Sequence, residues 1–97
     1  MTHIARFEFD APLWRHPGAD GWHFVSLPPD ISADIMEITA GIRRGFGSVR
    51  VAATVGTTWR TSLFPDSKAG TYLLPVKRAV RDAEHLDAGD DIRAQLE

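Results

Sequence analysis

Ninety-seven residues suffice for one hydrophobic core and leave no room for a second. A hydrophobic fraction of 43%, a charged fraction of 25% and a net charge of −2 are ordinary for a globular domain, and they argue against a dedicated nucleic-acid binder, whose domains are strongly basic. Cysteine is absent, which excludes disulfides, thiol nucleophiles and thiolate metal sites; there is no basic-then-apolar leader and no apolar run of bilayer length, so a soluble cytoplasmic protein with no membrane partner is expected.

Residues 4–13, IARFEFDAPL, alternate and predict a half-buried strand with Phe7, Phe9, Ala11 and Leu13 on one face. Pro12 within it predicts an edge or a bend. His16 to Gly21 is turn chemistry. Trp22 to Leu27 reads as a second strand, apolar on both faces and therefore expected to be buried on both. Pro28-Pro29 ends it, because neither residue can donate a ladder hydrogen bond. Asp30 or Ser32 is the expected cap of a first helix, Ile31, Ile35 and Ile38 its apolar face, and Gly41 its terminator.

Val49, Val51, Ala53 and Val55 predict a third strand, and Val55-Gly56-Thr57-Thr58 a hairpin turn. The fourth strand alternates Trp59, Thr61 and Leu63 against Arg60, Ser62 and Phe64. A loop over 65–70 leads to a fifth strand at Tyr72 to Leu74. Pro75 suits the first turn of a second helix, whose apolar stripe is Val76, Ala79, Val80, Ala83 and Leu86. The turn at Leu86 to Asp90 then feeds a sixth strand with Ile92, Ala94 and Leu96 on one face.

This order, ββαβ-ββαβ, says the same thing twice. WHFVSLPPDISADIMEI at 22–38 and TYLLPVKRAVRDAEHL at 71–86 share a strand, a Leu-Pro step and a helix, and Leu27-Pro28 and Leu74-Pro75 stand 47 positions apart. The expected fold is mainly β with two short helices: one closed barrel of about six strands over residues 1–97, with internal pseudo-two-fold repeats at about 4–55 and 57–97.

The run Leu74-Pro75-Val76-Lys77-Arg78-Ala79-Val80-Arg81 followed by Leu86-Asp87-Ala88-Gly89-Asp90 resembles the double-split barrels of the AbrB, MazE and MraZ type. Those half-barrels complete themselves by dimerising, whereas two halves in one chain imply a barrel that closes alone. Over nearly its whole length the chain looks like the domain-of-unknown-function family 1905. The matching stretches are Trp22 to Pro28, Arg44-Gly45-Phe46-Gly47, Trp59 to Pro65, Tyr72 to Lys77 and Ala88-Gly89-Asp90. That resemblance implies a fold and carries no catalytic residues over.

Three constellations bear on chemistry. In Gly41-Ile42-Arg43-Arg44-Gly45-Phe46-Gly47, the glycines admit an anion to backbone amides and the arginines clamp it, or the arginines simply complement the end of the first helix. Lys77, Arg78 and Arg81 form a basic cluster suited to phosphate contacts, or else a solvated face with Arg78–Asp82 and Arg81–Glu84 pairs. The aromatics Trp14, Trp22, Trp59, Phe24, Phe46, Phe64 and Tyr72 line a ligand pocket at a barrel mouth, or fill the barrel. His3, His16, His23 and His85 lack metal-ligand spacing, Ser62 lies in no nucleophile motif, and Asp87, Asp90 and Asp91 lack a calcium-loop pattern, so no metal, cofactor or catalytic residue is assigned.

The expectation is a non-enzymatic binding module for a small or anionic ligand or a protein partner. Its site is Trp22, Arg44, Trp59, Arg60 and Tyr72. The alternative is DNA binding in the AbrB manner through Arg43, Arg44, Lys77, Arg78 and Arg81, which the acidic balance disfavours. A third reading is an enzyme with an unrecognised site. Edges near Pro12 permit strand-mediated pairing, so a monomer or a weak dimer is expected.

Overall fold

The computed structural model describes residues 6–18, 21–41 and 47–97. Six strands and two helices follow in the order β1 (Phe7–Arg15), β2 (His23–Ser26), α1 (Pro29–Ile38), β3 (Val49–Val55), β4 (Thr57–Asp66), β5 (Thr71–Pro75), α2 (Arg78–Glu84) and β6 (Asp91–Leu96). The strands close into a barrel in the order β1-β2-β5-β4-β3-β6, every neighbouring pair antiparallel. Alternation decides what enters it: Ile92, Ala94 and Leu96 of β6 are buried between exposed neighbours, as is Trp59 of β4. Among the described residues, no helix is long and apolar enough to cross a membrane.

The register is that of a pseudo-two-fold axis. Laying β1 on β4, β2 on β5 and β3 on β6 carries the pair Leu13–Val25 onto Pro65–Tyr72, and Ala11–Ile92 onto Leu63–Val49. Ser26–Leu73 and Ala53–Leu96 each map onto themselves, so the axis runs through the two seams where the halves meet. The wall is open at two equivalent places. β1 pairs with β6 through Pro12 and with β2 only from Leu13, and β4 pairs with β3 through Leu63 and with β5 only from Phe64. Pro12, where an edge or a bend is expected, stands at this exchange of partners.

Several local expectations are corrected. α1 has no side-chain cap: it starts at Pro29, and the Ser32 hydroxyl instead accepts the Tyr72 backbone amide at 3.1 Å. That bond turns Ser32 toward β5, so the buried line of α1 is Ser32, Ile35 and Thr39, and Ile38 is left 46% exposed. The helix ends at Thr39, whose hydroxyl donates to the Ile35 carbonyl at 2.7 Å, ahead of Gly41. Pro75 is the last residue of β5, opposite Phe24, and lies outside α2. α2 buries Val80 and leaves Ala79 and Ala83 exposed, and His85, in the left-handed conformation (φ 55°), stops it after seven residues. β2 is not buried on both faces, since Trp22 and Phe24 stand on its outer side.

Gly56 makes the β3–β4 turn at φ +74°, and a Cβ there would collide with the Glu84 carboxylate, which accepts a hydrogen bond from the Thr57 hydroxyl at 2.6 Å. Gly56→Ala combines backbone strain with loss of that bond, and an equilibrium urea titration should show about 1–3 kcal/mol of destabilisation. The Thr71 hydroxyl is buried and has no hydrogen-bond partner among the described residues. Thr71→Val keeps the β-branched shape and removes the stranded group, so the same titration should show stability unchanged or raised by about 1 kcal/mol. A marked loss would mean that this hydroxyl is bonded in solution.

Candidate functional site

The opening between β4 and the end of β5 holds a cleft of about 460 Å3. Its origin is local. Pro75 cannot donate to a strand ladder, and the next amide, of Val76, is taken by the His23 carbonyl of β2 at 3.0 Å. The chain therefore follows β2 away from β4 and turns into α2. Trp59 and Val76, both buried, sit at the base of the gap. Trp22 and Phe64, both largely exposed, stand at its sides.

Four cations line this cleft and no carboxylate does: Arg60 from β4, and Lys77, Arg78 and Arg81 from the start of α2. Arg81 is half-buried, its Nε–H donating to the Val76 carbonyl at 3.1 Å, which holds the guanidinium against the cleft wall. The expected Arg81–Glu84 pair does not form, because Glu84 is engaged at Thr57. Arg78 does pair with Asp82, at 3.6 Å, but both are exposed and such a pair contributes little. The side chains of Arg60 and Lys77 are exposed and have no ion pair or hydrogen bond among the described residues. His23, also in the lining, has Nδ1 at 2.6 Å from the Gly21 carbonyl. A carbonyl only accepts, so Nδ1 carries the proton and Nε2 of the neutral ring is left as an acceptor.

Beside the cleft the aromatics form a stack on the outside of β1 and β2. The Trp14 indole N–H donates to the Ser26 hydroxyl at 3.0 Å, Phe24 packs on Trp14 at 5.3 Å between ring centroids, and Trp22 stacks on Phe24 at 5.7 Å with planes 19° apart. His16 packs edge-on to Phe24 at 6.2 Å.

Of the residues predicted for a ligand site, Trp22, Trp59 and Arg60 come together here. Tyr72 does not join them: at 1% exposure it belongs to the barrel core, held there by the pairing of β5 with β4. Arg44 lies outside the described residues. Of the basic residues named for DNA, Lys77, Arg78 and Arg81 line the same cleft, while Arg43 and Arg44 are again outside the described residues. Sequence reasoning kept these two groups apart and missed Ser62, which the outward alternation of β4 places beside Arg60, while Phe64, named among the pocket aromatics, does line the cleft. Among the described residues no group of three or more His, Asp or Glu side chains is placed to hold a metal ion.

The family whose description is "Domain of unknown function (DUF1905)" matches residues 9–96. No curated protein matches the chain.

Proposed function

We propose that this chain, which belongs to the DUF1905 family, is a binding module that takes a small anionic ligand into the cleft between β4 and the β5–α2 junction. The observation that carries this reading is the contrast between the two openings. The pseudo-two-fold places Trp59-Arg60-Thr61-Ser62 on Phe7-Glu8-Phe9-Asp10, and the stretch after β2 that matches Val76 to Arg81 carries Asp30 and Asp34 and no cation. At the β1 opening Glu8 and Asp10 are ion-paired with Arg93, at 3.4 and 3.0 Å, whereas no carboxylate lines the cleft at the β4 opening, so one backbone plan carries two different charge patterns. In a chain of net charge −2, four cations converge on one cleft, and the side chains of two of them have no ion pair or hydrogen bond among the described residues. Guanidinium forks and an ammonium group match phosphate or carboxylate oxygens, and at the edge of a low-dielectric wall each contact is stronger than on an open surface.

The same cations also support the second reading, duplex contact by Lys77, Arg78 and Arg81. A thermal-shift series separates the two. Inorganic pyrophosphate, small organic phosphates, dicarboxylates and a short DNA duplex are each compared at low and high salt. Binding to the folded state stabilises it by about 2.7 kcal/mol at a hundredfold excess over Kd, which in a domain of this size amounts to several degrees or more. A small anion that raises Tm and still does so near physiological salt supports the cleft reading. A shift with duplex alone, lost at high salt, transfers the site to nucleic acid. No shift with any of them leaves a protein partner as the reading to pursue.

A further inference from the structure

Trp22 is 51% exposed although it lines a cleft and ends an ordered stack. The stack is built from its far end. Trp14 is pinned by Ser26, Phe24 rests on Trp14, and Trp22 lies nearly parallel to Phe24. Such a chain of contacts holds the Trp22 indole in place before any ligand arrives, so little conformational entropy is lost when another ring packs on it. The same cleft presents Arg60, Lys77 and the anchored Arg81. An aromatic surface and a cluster of donors for a multi-oxygen anion therefore share one space of about 460 Å3, the scale of a single small-molecule site.

We propose that the ligand of this cleft is an aromatic phosphate of mononucleotide size, its planar ring packed against Trp22 and its phosphate held by Arg60, Lys77 and Arg81. This inference rests on the anion reading above and adds the ring. Stacking on a fixed indole tolerates many heterocycles, so it assigns the class of ligand and leaves the particular base open. The chain's net charge of −2 favours a single nucleotide over a polymer, which needs a longer basic track.

The test is calorimetric titration of the full chain with adenosine 5′-monophosphate, ribose 5-phosphate and a single-stranded oligonucleotide, repeated on Trp22→Ala and Trp22→Phe. The expected result is that the nucleotide binds roughly ten- to a hundredfold more tightly than ribose 5-phosphate. That gap closes in Trp22→Ala and largely survives in Trp22→Phe, which keeps a ring. Thermal melts of both variants establish that each is folded, as replacement of a half-exposed residue permits. Equal affinity for nucleotide and sugar phosphate in the parent protein overturns the aromatic assignment while the anion reading stands. Failure of both phosphates to bind overturns both readings. Oligonucleotide binding far tighter than the mononucleotide, with a steep salt dependence, overturns the small-ligand assignment in favour of single strands.

Discussion

Reversing the charge at Arg60 and Lys77 together, as Arg60→Glu with Lys77→Glu, should weaken binding of a small phosphate by about a hundredfold or more with little change in Tm. A charge-assisted hydrogen bond contributes about 1.5–3 kcal/mol, so the loss of two corresponds to about 3 kcal/mol or more before any repulsion from the new carboxylates. The fold should tolerate the change, since both side chains are exposed and have no ion pair or hydrogen bond among the described residues. Titration calorimetry at physiological salt gives the affinity, and a melting curve gives the control. If affinity is unaltered in a variant that melts normally, the cations at these two positions take no part in binding.

The largest effect on stability should follow Leu74→Ala, with the unfolding free energy falling by about 2–5 kcal/mol in urea titration. Leu74 is fully buried and stands opposite Val25 in the β2–β5 seam, one of the two places where the pseudo-equivalent halves join. Alanine there removes three carbons from a site walled by both halves, and strands hydrogen-bonded across this seam have little freedom to collapse into the gap. Against a total of about 5–15 kcal/mol for a natural domain, this is a large fraction. Leu74→Met, which conserves volume, should cost less than about 1.5 kcal/mol. Equal costs for the two substitutions would contradict tight packing at the seam.

The barrel was legible because its signals are local and repeated. Period-two alternation marks β4 and β6, Gly56 marks the turn into β4, and the recurring Leu-Pro step marks where each half leaves its second strand. Local pattern misjudged what tertiary contacts decide. Ser32 reads as a cap, yet its hydroxyl is engaged by the Tyr72 amide, forty residues away in sequence. Tyr72 and Trp22 are both aromatic residues at strand ends, and only the barrel's closure places the first in the core and the second beside the cleft. The cleft was half legible. Arg60 and the Lys77–Arg81 cluster were each visible as charges, but their convergence depends on β4 parting from β5 below Phe64, a matter of register between distant segments. The charge contrast between the two openings was likewise hidden until the register showed which residues of the two halves correspond.

The most direct test of the account is an amide-resolved NMR titration of the uniformly 15N-labelled chain with inorganic pyrophosphate. The account predicts saturable shifts confined to the β4 segment at Arg60 to Ser62, the Val76 to Arg81 segment, His23 and the Trp22 and Trp59 indole N–H signals. The opposite opening at Glu8, Asp10, Asp30 and Asp34 should stay unperturbed. Shifts at that acidic opening, shifts scattered over the surface, or none at all would contradict it.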